Sequence, residues 1–177
     1  IASAVIHVKD LHLAGRVDKE AILIDSFLAV SDPGYLGGTA LIRLKDWQVS
    51  GYRISLAGER FRTVYFPELQ LYTSPRLTFE GTPEKLTIRG EVDLPEVHIT
   101  GSPVRGVIAP SPDVRIEGRT PAEPKGFPLD VDMRVRVALG NRAFVKVEGI
   151  DAQLGGALQL TALHSLDRLS STGEIRV

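Results

Sequence analysis

The chain has 177 residues, enough for one domain or part of a repetitive array, with 21 Lys and Arg against 22 Asp and Glu. So even a balance leaves no electrostatic excess to recruit DNA, RNA or an anionic bilayer, and a nucleic-acid partner is not expected. Cysteine is absent, which excludes disulfide staples and thiolate metal sites, and no run of about 18 apolar residues exists to cross a membrane as a helix.

In chain order the sequence is a succession of short runs in which apolar and polar residues alternate, each closed by Gly, Pro, Asp or Ser. Strands are expected at Val5 to Leu13, Ile22 to Val30, Thr39 to Leu44, Gln48 to Leu56, Thr63 to Phe66, Leu69 to Tyr72 and Arg76 to Glu80. They continue at Lys85 to Leu94, Glu96 to Thr100, Val114 to Gly118, Leu129 to Leu139, Ala143 to Glu148, Ala152 to Leu160 and Glu174 to Val177. The clearest is Leu-Asp-Val-Asp-Met-Arg-Val-Arg-Val-Ala-Leu, from Leu129 to Leu139. On a pleated strand Leu129, Val131, Met133, Val135 and Val137 line one face, with Asp130, Asp132, Arg134 and Arg136 on the other; a helix would scatter them all round.

Three irregularities punctuate this pattern. Val145 and Val147 are apolar at odd positions, but Ile150, Ala152, Leu154, Leu158 and Leu160 are apolar at even ones, so a bulge or turn is required at Gly149. Seven of the 11 prolines fall between Pro95 and Pro128, which marks Ser102 to Phe127 as a long, weakly paired connection. Gly90, in Ile88-Arg-Gly-Glu-Val, takes a place on the apolar face, where it leaves a gap or admits a neighbouring backbone. Leu160 to Leu169 is long enough for a helical turn through Leu163, Leu166 and Leu169. The chain begins at Ile1 and stops inside an alternating run, and is read as a single β segment, residues 1–177, cut from a longer protein.

The catalytic inventory is short. His7, His12, His98 and His164 show no metal-ligand spacing, and no nucleophile elbow, phosphate-binding loop or dinucleotide fingerprint is present. Asp130 and Asp132 share a face about 7 Å apart, a separation that paired carboxylates in glycosidases use. Arg134 and Arg136 continue that face, however, which makes it a solvated strand surface with cross-strand ion pairs. No enzyme activity, metal or cofactor is expected.

What remains is the apolar face. Two such faces covering each other would make a closed β-sandwich or barrel, a structural or adhesion module with no guest. One sheet curled on itself would make a groove for hydrocarbon. Some 30 inward apolar side chains, at roughly 1.5–3 kcal/mol each, leave tens of kcal/mol unrealised if that face is wet, so an open groove needs a guest or must nearly close.

The run Leu56-Ala-Gly-Glu-Arg-Phe through Pro67-Glu-Leu-Gln-Leu, then Ser74-Pro-Arg-Leu, Lys85-Leu-Thr-Ile-Arg-Gly-Glu-Val-Asp-Leu-Pro and Ser111-Pro-Asp-Val, resembles the C-terminal domain of the TamB family. So does Val137-Ala-Leu-Gly-Asn-Arg leading into Val147-Glu-Gly-Ile-Asp-Ala-Gln-Leu-Gly-Gly-Ala-Leu-Gln-Leu and on to Gly173-Glu-Ile-Arg-Val. The resemblance covers Trp47 to Val177; Ile1 to Asp46 is compatible with it but less distinctive. TamB proteins are the inner-membrane-anchored subunits of the translocation and assembly module in bacteria with two membranes, related to the AsmA-like bridge proteins.

The resemblance implies an all-β fold, a long curled, taco-like sheet with an apolar interior, half-open or barrel-like, and with little or no helix. It implies no catalytic residue. It places the chain in the periplasm, within a protein whose membrane anchor lies elsewhere, and makes the Omp85-family outer-membrane barrel TamA the partner of the full-length chain. The guests it implies are phospholipid acyl chains passing between membranes or, alternatively, unfolded strands of outer-membrane proteins and autotransporters held by a chaperone-like groove. The expected groove wall is the apolar phase of the longest strands: Leu86, Ile88, Val92, Leu94, Val131, Met133, Val135, Val137, Val145, Val147, Ile150, Leu154, Leu158 and Leu160. Arg in place of Val135 or Leu154 should block a sliding chain, whereas Arg at Asp132 should be tolerated.

Overall fold

The computed structural model describes residues 8–101, 129–147 and 149–177. The connection expected over Ser102 to Phe127, the strand expected at Val114 to Gly118, and His7 lie outside these residues.

The alternating runs form ten strands: β1 (Asp10–Val17), β2 (Ala21–Ser31), β3 (Gly34–Lys45), β4 (Gln48–Glu59), β5 (Phe61–Tyr65), β6 (Leu69–Thr82), β7 (Lys85–Thr100), β8 (Asp130–Val147), β9 (Ile150–Leu163) and β10 (Ser170–Arg176). All belong to one sheet in the order β1-β2-β3-β4-β6-β7-β8-β9-β10, with β5 beside β6. The order follows the chain because short turns join antiparallel neighbours. The exception is β7 with β8, which run parallel. A two-residue hairpin joins antiparallel strands only, so this pair is of a different kind from its neighbours.

Among the described residues the only helical piece is a single 3-10 turn, Leu166–Arg168, within the stretch where a turn was expected. No second sheet is present among them, and β1 does not pair with β10. A closed sandwich is thereby overturned: the sheet is single, open and curled.

Three pairs of expected strands are each one long strand. Leu69 to Tyr72 and Arg76 to Glu80 fuse into β6 through Pro75, because β6 changes partner there: Gln70 to Thr73 face β5 and Arg76 to Gly81 face β4. Proline has no N–H to give a ladder, and at this junction none is needed. The backbone kinks opposite it at Arg60, whose φ is 46° and whose N–H donates to Ser74 Oγ at 3.0 Å. Lys85 to Leu94 and Glu96 to Thr100 likewise fuse into β7 through Pro95, at a register shift against both neighbours. Leu129 to Leu139 and Ala143 to Glu148 merge into the 18-residue β8, which is irregular between Leu139 and Ala143. At the required phase change near Gly149, β8 ends at Val147 and β9 begins at Ile150, its direct partner, with Gly149 at φ 87°. The irregularity is thus a tight hairpin.

Candidate functional site

Register converts the alternation of single strands into rows that cross the whole sheet. Directly paired residues point to the same face. Ile24, Ala40, Ile54, Phe79, Ile88, Met133 and Ala162 therefore form one row across seven strands. Leu13, Phe27, Gly38, Leu56, Leu77, Gly90, Val135 and Leu160 form the next. Bulges in β2 and β7 keep the phase: after Ile24 the apolar face continues at Phe27 and Ala29, and after Leu94 at Val97 and Ile99. Seven strand-to-strand steps of about 4.8 Å, from β1 to β9, make the longer row roughly 34 Å long across the strands.

Among the described residues all seven buried apolar ones, Ala29, Phe61, Val97, Val131, Val135, Ala143 and Ala162, belong to this face. In a single layer only neighbours on the same face can cover a side chain. The apolar face is therefore the inside of the curl. It is covered best at β7 to β9, where Val131 is 3 % and Val135 6 % exposed. At β1 it is open, with Leu11, Leu13 and Val17 at 68, 67 and 66 %.

The fourteen residues expected at a groove wall lie on this one face. Leu86, Ile88, Val92 and Leu94 stand on β7 opposite Val131, Met133, Val137 and Leu139 of β8. Val135 and Val137 stand opposite Leu160 and Leu158 of β9, Leu154 opposite Ala143, Val145 opposite Ala152, and Val147 opposite Ile150. Val131 and Val135 are buried, Ile150 is exposed beside its turn, and the rest are half-buried. Sequence reasoning missed Val97, Ala143 and Ala162, three of the best-covered members. The alanines were passed over for lack of bulk, although small residues are what a tight curl admits. Val97 was hidden by the phase change at Pro95. The signal in all three is membership of the same register rows.

Glycine is the other feature of the inner face. Gly90 has φ 134°, and a Cβ there would lie 2.0 Å from the carbonyl oxygen of Arg76 on β6. Of the two outcomes expected, the neighbouring backbone does approach closely.

The outer face holds the charges. Arg76 Nη2 lies 2.6 Å from Glu91 Oε1 and 3.4 Å from Asp93 Oδ2, and Arg53 Nε 2.9 Å from Glu80 Oε1. Asp130 and Asp132 do not act as a pair: Asp130 Oδ1 lies 2.9 Å from His164 Nδ1, and Asp132 is held by Arg89 of β7. The Arg89 hydrogen bond holds the Asp132 carboxyl below its ordinary pKa, against partial burial, with help from the charges of Arg89, Arg134 and Lys85. Arg at position 132 would lose this bond and crowd three cations, so Asp132 is not the neutral outer position expected of it. Ala138, on the same face of β8 and opposite Asp93, is a better one.

One charge is buried among the described residues. Glu96, 8 % exposed, follows Pro95 at the β7 irregularity and faces two arginines and a histidine. Arg60 Nη2 is 3.0 Å from its Oε2, while His98 Nε2 and Arg142 Nη2 are 3.0 and 3.3 Å from its Oε1. Burial, the largest influence, raises its pKa. The hydrogen bonds from His98 and Arg60 and the charges of Arg142 and His98 outweigh it and hold the carboxyl below 4.5. Arg60, just past the end of β4, thereby reaches β7, and Arg142 of β8 meets the same carboxylate across the bulge. It is not legible in sequence, because its members lie on β7, on β8 and in the link after β4.

One continuous apolar inner face on an open, curled sheet is the architecture that the motifs implied. The TamB C-terminal domain family matches residues 28–177 of the chain. The chain belongs to the TamB family. The match begins before Trp47, where the motif resemblance was first distinct, and takes in β3 and the last four residues of β2. Membership brings a TamB-type role in a translocation and assembly module, as a non-enzymatic component associated with a TamA-type outer-membrane partner. No solved structure matches the chain. No described helix is long and apolar enough to cross a membrane.

Proposed function

We propose that this TamB segment forms part of a periplasm-spanning bridge whose inner face carries phospholipid acyl chains between the inner and outer membranes. The single observation that carries the reading is the set of unbroken apolar rows on the inside of a sheet that has no second layer among its described residues. A face of that kind asks for a guest that is apolar along its length and needs no directional polar contact. An acyl chain of ~16 carbons gains roughly 13 kcal/mol on burial, at ~0.8 kcal/mol per CH₂, while its headgroup stays in water at the slot. Rows of Val, Leu and Ile carry no code for headgroups, so the path suits lipids of several kinds.

The test places a photocrosslinking residue at Leu158, on the inner face of β9, and in a second protein at Ala157, its neighbour on the outer face. Lipid adducts, read by mass spectrometry, are expected at 158 and not at 157. Equal labelling at both positions sinks the conduit.

A second reading, capture of unfolded outer-membrane protein strands, is favoured by the exposed apolar residues of β1 and by its free edge among the described residues. An extended chain can add to such an edge and extend the inner rows. Crosslinks from Leu13 to polypeptide rather than lipid distinguish this reading from the first.

A further inference from the structure

At the end of the sheet where β3 stops and β7 starts, a cavity of about 320 Å³ opens on the outer face, lined by the ends of β3, β4, β6 and β7. Its lining carries three cations, Arg43, Arg53 and Lys85, against one carboxylate, Glu80. Arg53 is already committed to Glu80 at 2.9 Å. Arg43 and Lys85 make no ion pair among the described residues, and Lys85 acts on Asp132 only from a distance. The Tyr52 hydroxyl donates to the Lys85 carbonyl oxygen at 3.4 Å, and the Thr87 hydroxyl also lines the cavity.

We propose that this cavity is a binding subsite for a phosphoryl anion. Two unpaired cations at the wall of one concavity are what a tetrahedral oxyanion satisfies: Arg offers a planar fork of donors and Lys a mobile point charge. Position supports the assignment. Arg43 lies two residues before the end of β3 and Lys85 is the first residue of β7. The cavity therefore sits at the strand ends, at the rim between the outer and the inner face. The source of the anion, and only that, rests on the lipid reading above; a free phosphate presents the same chemistry.

The test is calorimetric titration of the purified protein and of the double variant Arg43→Gln/Lys85→Gln with three probes. These are sodium phosphate, dihexanoyl-phosphatidylglycerol below its micelle concentration, and uncharged dihexanoylglycerol. Both side chains are exposed, so the fold should survive, and circular dichroism checks that it does. The variant is expected to bind phosphatidylglycerol at least about tenfold more weakly, since hydrogen bonds to charged groups are worth that much or more. Dihexanoylglycerol should bind both proteins alike. Parallel loss of phosphate binding assigns the site to any phosphoryl anion, whereas loss for the phospholipid alone assigns it to the headgroup. A folded variant that binds both anions as the wild type does overturns the subsite. Failure of dihexanoylglycerol to bind either protein counts instead against the groove, and leaves the phosphate comparison readable.

Discussion

Strands β1 and β8 carry the same alternation and present their apolar side chains to the same face of one sheet, yet their surroundings differ tenfold in exposure. Val131 and Val135 are 3 and 6 % exposed; Leu11 and Leu13 are 68 and 67 %. The cause is neighbours rather than side-chain type. Val135 has Gly90 of β7 on one side and Leu160 of β9 on the other, while β1 pairs with β2 alone among the described residues. In a sandwich a second layer would bury both. Here the curl does the burying, so apolar contact is concentrated where strands are long and flanked on both sides.

That contrast is broken most forcefully at Val135. Val135→Arg would place a charge among hydrocarbon and is expected to cost about 3 kcal/mol or more in urea unfolding, against within about 0.5 kcal/mol for Ala138→Arg on the outer face of the same strand. Equal losses would mean that β8 has no inside.

The Glu96 cluster comes next. Glu96→Gln removes the charge that Arg60, His98 and Arg142 face, and should cost about 2 kcal/mol near neutral pH. Because the folded-state carboxyl titrates below 4.5, its contribution is complete above that value and is lost as pH falls through the lowered pKa. Wild type and variant should therefore converge in acid. A difference that persists well below pH 4.5 would place the effect in packing instead.

Gly90→Ala tests the curl itself. At φ 134°, with its new Cβ against the Arg76 carbonyl, Ala is strained, and a loss of about 1–2 kcal/mol is expected in urea unfolding. Gly155, with nothing within 4 Å of an added Cβ, should accept Ala with a change of a few tenths of a kcal/mol.

The smallest stability effect belongs to β1. Leu13→Ala should change stability by less than about 0.5 kcal/mol, because the side chain is already wet. The edge of β1, unpaired among the described residues, predicts self-association by edge pairing, and Leu13→Lys, equally mild in unfolding, should reduce it in sedimentation velocity. Association unchanged by Lys would move the contact away from β1.

Alternation fixes the face of a residue by local geometry, with period 2, and it did so without any tertiary information for each of the fourteen positions, from Leu86 to Leu160, expected to share one face. It fixed strand identity for the same reason, and the phase change at Gly149 required the turn found there. The sequence also marked Pro75 and Pro95 as interruptions. Whether a proline ends a strand or sits within one depends on the partner opposite it, and only the pairing of β6 with two successive strands, and the register shift in β7, decided that. The same holds for burial and charge. Ala143 and Ala162 are the most protected apolar residues among those described, each flanked by side chains of neighbouring strands on the same face, and Glu96 is held by arginines that lie 36 and 46 positions away. Local pattern follows from the pleat of one strand; coverage, ion-pair partners and the choice of an open curl over a closed sandwich depend on which strands become neighbours, and only the tertiary structure settles that.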